Sequence, residues 1–368
     1  MTGLPLYNMD QQWPSEPSDT GHRGLWFDRF FNQYNNQWLV KDEAKKIFLS
    51  TLSKTSCGDK GTLNRVCDQQ MALTSSLAGQ YSVYKSDWHW VSGMGLDHPV
   101  ENGFSWHSTL GTPYIPGSGV KGLVRAYMEQ QGCEGTDLQR FFGSDHKLPE
   151  QQQHDQQAGE FMFFDAIPTD VIGLSVDVMT PHMGKWYEQS DDASAVPADW
   201  HSPVPVCFLT AKQANLLFSI SPRPGVKTQP EDLDRLFEAL TNALDLLGVG
   251  GKTAVGYGYM QEDAAANTKL QQRQEEKIKQ QEIDKLSPGQ RELLNAEMMF
   301  DVPDQLKPGS SLGGLINDFL NTATDWPSED AAAAAVLAKR YYDLVGWGKK
   351  DKKKQRKERI AILSEPKS

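Results

Sequence analysis

The sequence predicts an α+β protein: a ferredoxin-like (RRM-type) βαββαβ core with insertions, followed by a C-terminal helical appendage. Three observations predict it. Two amphipathic helical patterns, one starting near Ser118 and one at Pro230, are each bracketed by segments that alternate polar and apolar residues. Between the helices lie two patterns of paired strands. Beyond residue 262 the alternation stops and only helical patterns remain.

Residues 1–76 are expected to be a helical and irregular segment packed on the core. Gly24–Gln37 has apolar groups at helical spacing, Asp42–Leu52 suggests a second helix, and Ser53–Gly61 is a turn-rich break. The core is placed at residues 77–261. Tyr81–Met94 alternates, with Tyr, Val and Trp enriched, and is expected to be its first strand. Gly93, Gly95, Pro99 and Gly103 break this pattern into turns, with a short strand expected near Phe104–His107.

The loop Gly111–Ser118 (GTPYIPGS) leads into the first helix, with Ser118 as its expected N-cap. Val120, Leu123, Val124, Tyr127 and Met128 share one face of it. Lys121 and Arg125 stand one above the other on another face. They sit near the amino end, where free N–H groups and the macrodipole favour an anion such as phosphate. A solvated surface pair is the competing reading.

Glu150–Gln157 is expected to be a glutamine-rich surface loop. Glu160–Ile167 and Val171–Met179 form one expected strand pair, turning at residues 168–170, and Pro205–Thr210 with Asn215–Ser221 forms another. Between them Thr180–Tyr187 and an acidic, Pro/Ala-rich stretch to Pro203 make a long irregular segment. From Pro230, Leu233, Leu236, Phe237, Leu240, Leu244 and Leu247 form the stripe of the second helix, with Gly248 as its C′ residue. Ala254–Gln261 supplies the last expected strand. Such a sheet has one helix-covered face and one open face, where single-stranded RNA is commonly held.

The twelve residues Gly248–Tyr259 (GVGGKTAVGYGY) are the densest glycine segment between helix and strand, with five glycines, one lysine, one threonine and two tyrosines. Glycine adopts positive φ freely, and successive amides can form a nest for an anion. Lys252 and Thr253 add a charge and a hydroxyl. The segment is not a Walker A loop, because Leu246 occupies the required upstream glycine and a strand pattern follows. Nor is it a dinucleotide fingerprint, because Thr253 stands where the third glycine belongs. Taken alone, it also fits a helix C-cap entering a glycine-weakened strand.

Residues 262–286 are a charged helical linker, and 287–368 a small helical extension. The extension ends in a basic run: residues 349–359 carry eight Lys/Arg and two acids, a local charge of +6. The whole chain is at −11, so the remainder stands at −17, a poor field for non-specific nucleic-acid binding. Four scattered cysteines without C-x-x-C suggest reduced thiols rather than a disulfide frame or zinc site. No metal site and no cofactor is expected. Residues 1–20 lack the basic and apolar regions of a signal peptide, and no stretch approaches a membrane span, so a cytoplasmic location is expected.

Gly111–Arg125 (GTPYIPGSGVKGLVR) resembles the signature of the RAMP superfamily of CRISPR proteins, with Gly119 where serine is more usual. Gly248–Gly258 resembles that superfamily's glycine-rich loop. Asp177–Tyr187 (DVMTPHMGKWY) is similar to a segment of one subgroup, the sixth subunits of type III-B (Cmr) effector complexes. The resemblance runs over roughly residues 77–261. It implies a non-catalytic subunit that binds CRISPR RNA, caps the backbone filament near the guide's 3′ end and helps hold the guide–target duplex. Its implied partners are CRISPR RNA, target RNA and other Cmr/RAMP subunits, with no membrane. The implied RNA contacts are Ser118, Lys121, Arg125, His182, Lys185, Tyr187, Gly248, Gly250, Gly251, Lys252, Thr253 and Tyr257. The alternative is a RAMP endoribonuclease using Asp97, Asp165 or Asp177 with His98 or His182. A nucleotide hydrolase and an unrelated RRM-like RNA binder are the remaining classes.

Overall fold

The computed structural model describes residues 16–18, 21–31, 33–35, 37–144, 157–187, 196–197 and 201–364. The chain divides into two units, Met1–Leu270 and Gln271–Ser368.

In the first unit, β1 (Gln80–Ser86) is central to the main sheet. It pairs antiparallel with β6 (Asn215–Pro222), from Gln80↔Ile220 to Lys85↔Asn215. On its other side it pairs antiparallel with β7 (Met260–Glu262). β2 (Phe161–Phe163) and the two-residue β3 (Ile167–Pro168) both pair with β6, so the sheet order is β2-β6-β1-β7. Successive side chains point to opposite faces. Tyr84, Leu216, Phe218 and Ile220 enter a core shared with α4 (Gly117–Gln130) and α7 (Pro230–Leu246), which supply Val120, Val124, Leu236, Leu240 and Leu244.

The opposite face is not open, contrary to expectation. Val83, Ile167 and Leu217 pack there against Leu63, Cys67 and Met71 of α3 (Lys60–Ser76) and against Leu270. The sequence pattern does not announce a helix at 60–76. That helix and the core it closes remove the sheet surface on which RNA was expected. Burying each large apolar side chain contributes about 1.5–3 kcal/mol, which favours the covered face.

Other boundaries move too. α1 (Arg23–Arg29) is shorter than Gly24–Gln37, while α2 (Asp42–Leu52) has the expected limits. The first strand ends at Ser86 rather than Met94, and residues 104–107 contribute a single bridge, Trp106↔Pro113. The strand pairs are exchanged. β4 (Leu174–Met179) pairs with β5 (Val206–Ala211) in a separate hairpin, and neither β2 nor β3 pairs with β4. A bridge between Trp90 and Ala211 joins that hairpin to the chain after β1. Instead of a strand from Ala254, a 3-10 turn at Thr253–Val255 precedes β7.

A helix that the sequence pattern does not reveal, α5 (Gly135–Phe142), is tied to the start of α7 by Arg140. Its guanidinium donates to both Asp232 oxygens at 2.7 and 3.0 Å. Burial pushes the Asp232 carboxyl up, but the Arg140 hydrogen bonds outweigh it and hold the group below its usual range. Asp232 also accepts the Gln229 amide in the capping box of α7.

The second unit has its own core. α9 (Pro288–Phe300), α10 (Ser311–Thr322), α11 (Ser328–Val345) and α12 (Lys350–Ser364) bury Leu293, Phe300, Ile316, Phe319, Tyr341, Tyr342 and Leu363. Ala331, Ala334, Ala335 and Ala338 form a buried stripe along α11 at helical spacing. Ser287 caps α9 in a capping box with Gln290, ahead of Pro288, as the sequence suggests. The helix between residues 262 and 286 is α8 (Ala264–Lys285). No described helix is long and apolar enough to cross a membrane.

Candidate nucleic-acid interface

α7 ends at Leu246 with Leu247 as its C-cap, and Gly248 turns the chain with φ 70° as the C′ residue. The next turns need positive φ at Gly250 (92°), Lys252 (61°), Gly256 (97°) and Gly258 (76°). A Cβ at Gly250 would collide with the Val91 carbonyl, and one at Gly258 with the Val249 carbonyl. These glycines are therefore required by protein packing.

The loop's amides divide into two sets. Gly248 donates to Ala243 O, Val249 to Gly258 O, Gly251 to Val91 O and Gly258 to His89 O. Val255, Gly256 and Tyr257 bond within the loop. A nest formed by the whole segment is thus excluded. Among the described residues, the amides of Gly250, Lys252, Thr253 and Ala254 have no acceptor. Gly250 and Ala254 are exposed, and Lys252 and Thr253 half-buried. The anion-binding part contracts to this short arc.

Lys252 stands over the ring of buried Phe208, its Nζ 5.2 Å from the centroid. Phe208 lies 6.0 Å from Tyr257, and Tyr257 5.1 Å from Trp88, which stacks on His89 at 4.5 Å. Tyr257, expected to contact RNA, is 6% exposed and donates its hydroxyl to Asp177. Burial first, and then that carboxylate, push its phenol well above the usual range. The outward aromatic is Trp88, 48% exposed. Burial pushes the His89 imidazole down, against the pull of Asp177. Sequence reasoning misses Trp88, His89 and Phe208 because strand alternation accounts for them.

The start of α4 is different. Pro116, not Ser118, takes the N-cap position, and no side chain at that position caps the helix. The Gly117 amide donates to the Asp165 carboxylate at 2.7 Å, while Gly119 and Val120 donate to Pro116 O. Most of the expected anion site is therefore filled from within. A Cβ at Gly117 would strike the Phe163 carbonyl. Burial and like-charged Arg125 and Arg223 hold the Lys121 ammonium below its ordinary value. Arg125 pairs with Glu129 at 2.7 Å, and Arg223 donates to the carbonyls of Ala158 and Gly159.

Lys252 does not join Lys121 and Arg125 in one site. The first turn of α4 abuts the β2 edge, whereas the glycine loop is bonded to the chain after β1 and enters β7 at the other edge. His182 and Tyr187 are exposed near α6 (Gly184–Tyr187), Tyr187 at 72%; the Lys185 side chain lies outside the described residues.

Three of the five candidate catalytic groups, Asp165, Asp177 and His98, are engaged within the protein, while Asp97 and His182 are exposed. Asp165 caps α4, Asp177 accepts from Tyr257, and His98 stacks on Phe27 at 4.0 Å while its Nε2 meets the Phe27 carbonyl. Among the described residues no group of three or more His, Cys, Asp or Glu is placed to hold a metal ion.

The chain is 28% identical over 243 residues to the CRISPR system Cmr subunit Cmr6 of Pyrococcus furiosus, covering 52% of this chain and 70% of that one. It is 27% identical over 159 residues to the Cmr6 of Saccharolobus solfataricus, covering 43% of this chain and 47% of the relative. The chain thus spans about half the length of that second relative. A chain in the cryo-EM structure of the type III-B Cmr-beta bound to cognate target RNA is 22% identical, with a TM-score of 0.45. That match covers 60% of this chain and 71% of the other. The RAMP superfamily model matches residues 72–261, just over half of the sequence, so the chain belongs to the RAMP superfamily.

Proposed function

We propose that this chain is a non-catalytic, CRISPR-RNA-binding subunit of a type III-B RNA-guided effector complex acting in the cytoplasm. It caps the backbone filament near the guide's 3′ end and helps hold the guide–target duplex. Its partners are CRISPR RNA, target RNA and other Cmr/RAMP subunits. Residues 77–261 are the RNA-binding domain, with a ferredoxin-like core. Support for that core comes from the antiparallel order β2-β6-β1-β7, with α4 between the first and second core strands and α7 between the third and fourth.

The observation that carries the reading is the open arc Gly250–Ala254. Among the described residues the amides of Gly250, Lys252, Thr253 and Ala254 have no protein acceptor, and the linked aromatic rings lead to exposed Trp88. Amides and a lysine suit a phosphate, and an outward indole suits an unstacked base at about 1–3 kcal/mol. Lys121, with Arg125 and Arg223, forms a second and separate positive locus.

Purification of the assembly from cells expressing the chain with its genomic neighbours tests this. A discrete small RNA should copurify. Lys252→Glu with Trp88→Ala should lower its yield by about tenfold or more while the other subunits remain, a loss of about 1.4 kcal/mol or more. RNA content unchanged in that double variant would contradict the proposal.

A further inference from the structure

Helix α12 carries a feature that the RAMP module does not explain. It has Lys350, Lys353, Lys354 and Lys357 at i, i+3, i+4 and i+7, the spacing that places four side chains on one face. All four are exposed. The face does not pack into the bundle, since Leu363 is the buried residue of the helix and Arg356, Arg359 and Ile360 are half-buried. Both acids of the basic run, Asp351 and Glu358, fall outside the lysine face by the 100° step of the helix.

The lysines are scarcely neutralised. Among the described residues, Lys350 and Lys353 have no acidic group within ion-pair distance, and Lys354 reaches Glu358 only at 4.0 Å. Lys357 stands over the Trp347 ring at 5.4 Å, and Arg356 over Tyr342 at 4.3 Å. These two contacts fasten the helix and fix which way its lysine face points. Like charges at i, i+4, here Lys350 with Lys354 and Lys353 with Lys357, destabilise an isolated helix. An acidic partner removes that repulsion.

We propose that this lysine face binds the phosphodiester backbone of a nucleic-acid strand. From Lys350 to Lys357 the face extends about 10 Å along the axis at about 1.5 Å per residue. A run of consecutive phosphates offers repeated charge over such a length, with one per about 3.4 Å along each strand of a duplex. Lysine acts as a point charge on phosphate without needing bidentate geometry, so this contact reads backbone rather than sequence. Insertion into a membrane surface is disfavoured, because Ile360 and Leu363 pack into the helical core.

The test uses the full-length chain and a fluorescein-labelled oligouridylate, with binding followed by anisotropy between about 50 and about 200 mM salt. Reversing Lys350, Lys353, Lys354 and Lys357 to Glu should weaken binding at least tenfold. It should also make the slope of log K against log salt shallower by about 2–3, at roughly 0.7 per single-strand phosphate contact. A triple reversal sparing Lys357 keeps the Trp347 contact and should lose most of the same slope, guarding against a folding defect. The Lys→Arg quadruple should bind like the parent.

Unchanged affinity and slope in a reversed chain that retains its circular dichroism would overturn the proposal. So would a parent chain that does not bind the probe. Unchanged RNA binding together with failure to join the multisubunit assembly would overturn it in favour of an acidic protein surface. Lys252→Glu separates this site from the glycine loop: the α12 share of the salt slope should survive that substitution.

Discussion

Two glycine-rich segments of this chain look alike in sequence and differ in the fold. Gly117–Gly119 opens α4, and Gly248–Gly258 closes α7. Both stand next to a lysine and both promise backbone amides. At α4 the carboxylate of Asp165 takes the Gly117 amide, and Pro116 O takes those of Gly119 and Val120. At the α7 loop four amides keep no protein acceptor among the described residues. Glycine content therefore marks where backbone comes close. Whether the approach serves a ligand or the protein depends on what stands opposite.

The largest effects should separate glycines by what they face. Gly258→Ala and Gly117→Ala drive a Cβ into the carbonyls of Val249 and Phe163, and Gly258 is also at positive φ. Each should cost more than about 3 kcal/mol in chemical unfolding of the first unit. Gly119→Ser meets only Ile115 Cγ2 at 3.6 Å. It should stay within about 0.5 kcal/mol of the parent. Equal effects at Gly117 and Gly119 would erase the distinction between a packed and an open glycine.

A smaller change should make the start of α4 behave more like the α7 loop. Asp165→Ala removes the carboxylate from the first turn of α4, costing about 1 kcal/mol as other lost caps do. It should also let phosphate or RNA compete for the freed amide beside Lys121, raising affinity at that edge. If RNA protection near α4 does not rise, the internal carboxylate is not what closes this helix end to a ligand.

The smallest effect concerns pH. Burial holds His89, His98 and His107 below the ordinary imidazole value. A group depressed in the folded state contributes stability above its unfolded pKa and loses it as pH falls through the folded value. Asp232, held low by Arg140 once burial is overcome, acts in the same direction at lower pH. The melting temperature should therefore fall as pH drops from about 7 towards about 4. His89→Gln, beside the glycine loop, should make the upper part of that fall shallower. A profile identical to the parent would remove His89 from the account.

Much of the framework was legible because it is local. The limits of α2 follow from apolar spacing, and the start and C′ glycine of α7 from Pro230, its apolar stripe and Gly248, signals that act within a few residues. Strand pairing was not legible, because register is decided across long separations. Leu174–Met179 alternates equally well whether it joins the main sheet or, as here, pairs with Val206–Ala211. The helix at Lys60–Ser76 lacks a strong apolar stripe, yet Leu63, Cys67 and Met71 suffice to cover the second face of the sheet. In the site, Lys252 and the glycines were visible as a motif. Trp88 was not, because one exposed aromatic in a β-like stretch gives no sign of its neighbours. Tyr257 was misjudged for the converse reason: its partner Asp177 lies far away in sequence.

The most direct test follows amide hydrogen exchange of the full chain with and without bound single-stranded RNA. The amides of Gly250, Lys252, Thr253 and Ala254 should slow markedly on RNA addition, while those of Gly117, Gly119 and Val120 stay as they were. Protection appearing at the start of α4 with the glycine loop unaffected would contradict the account.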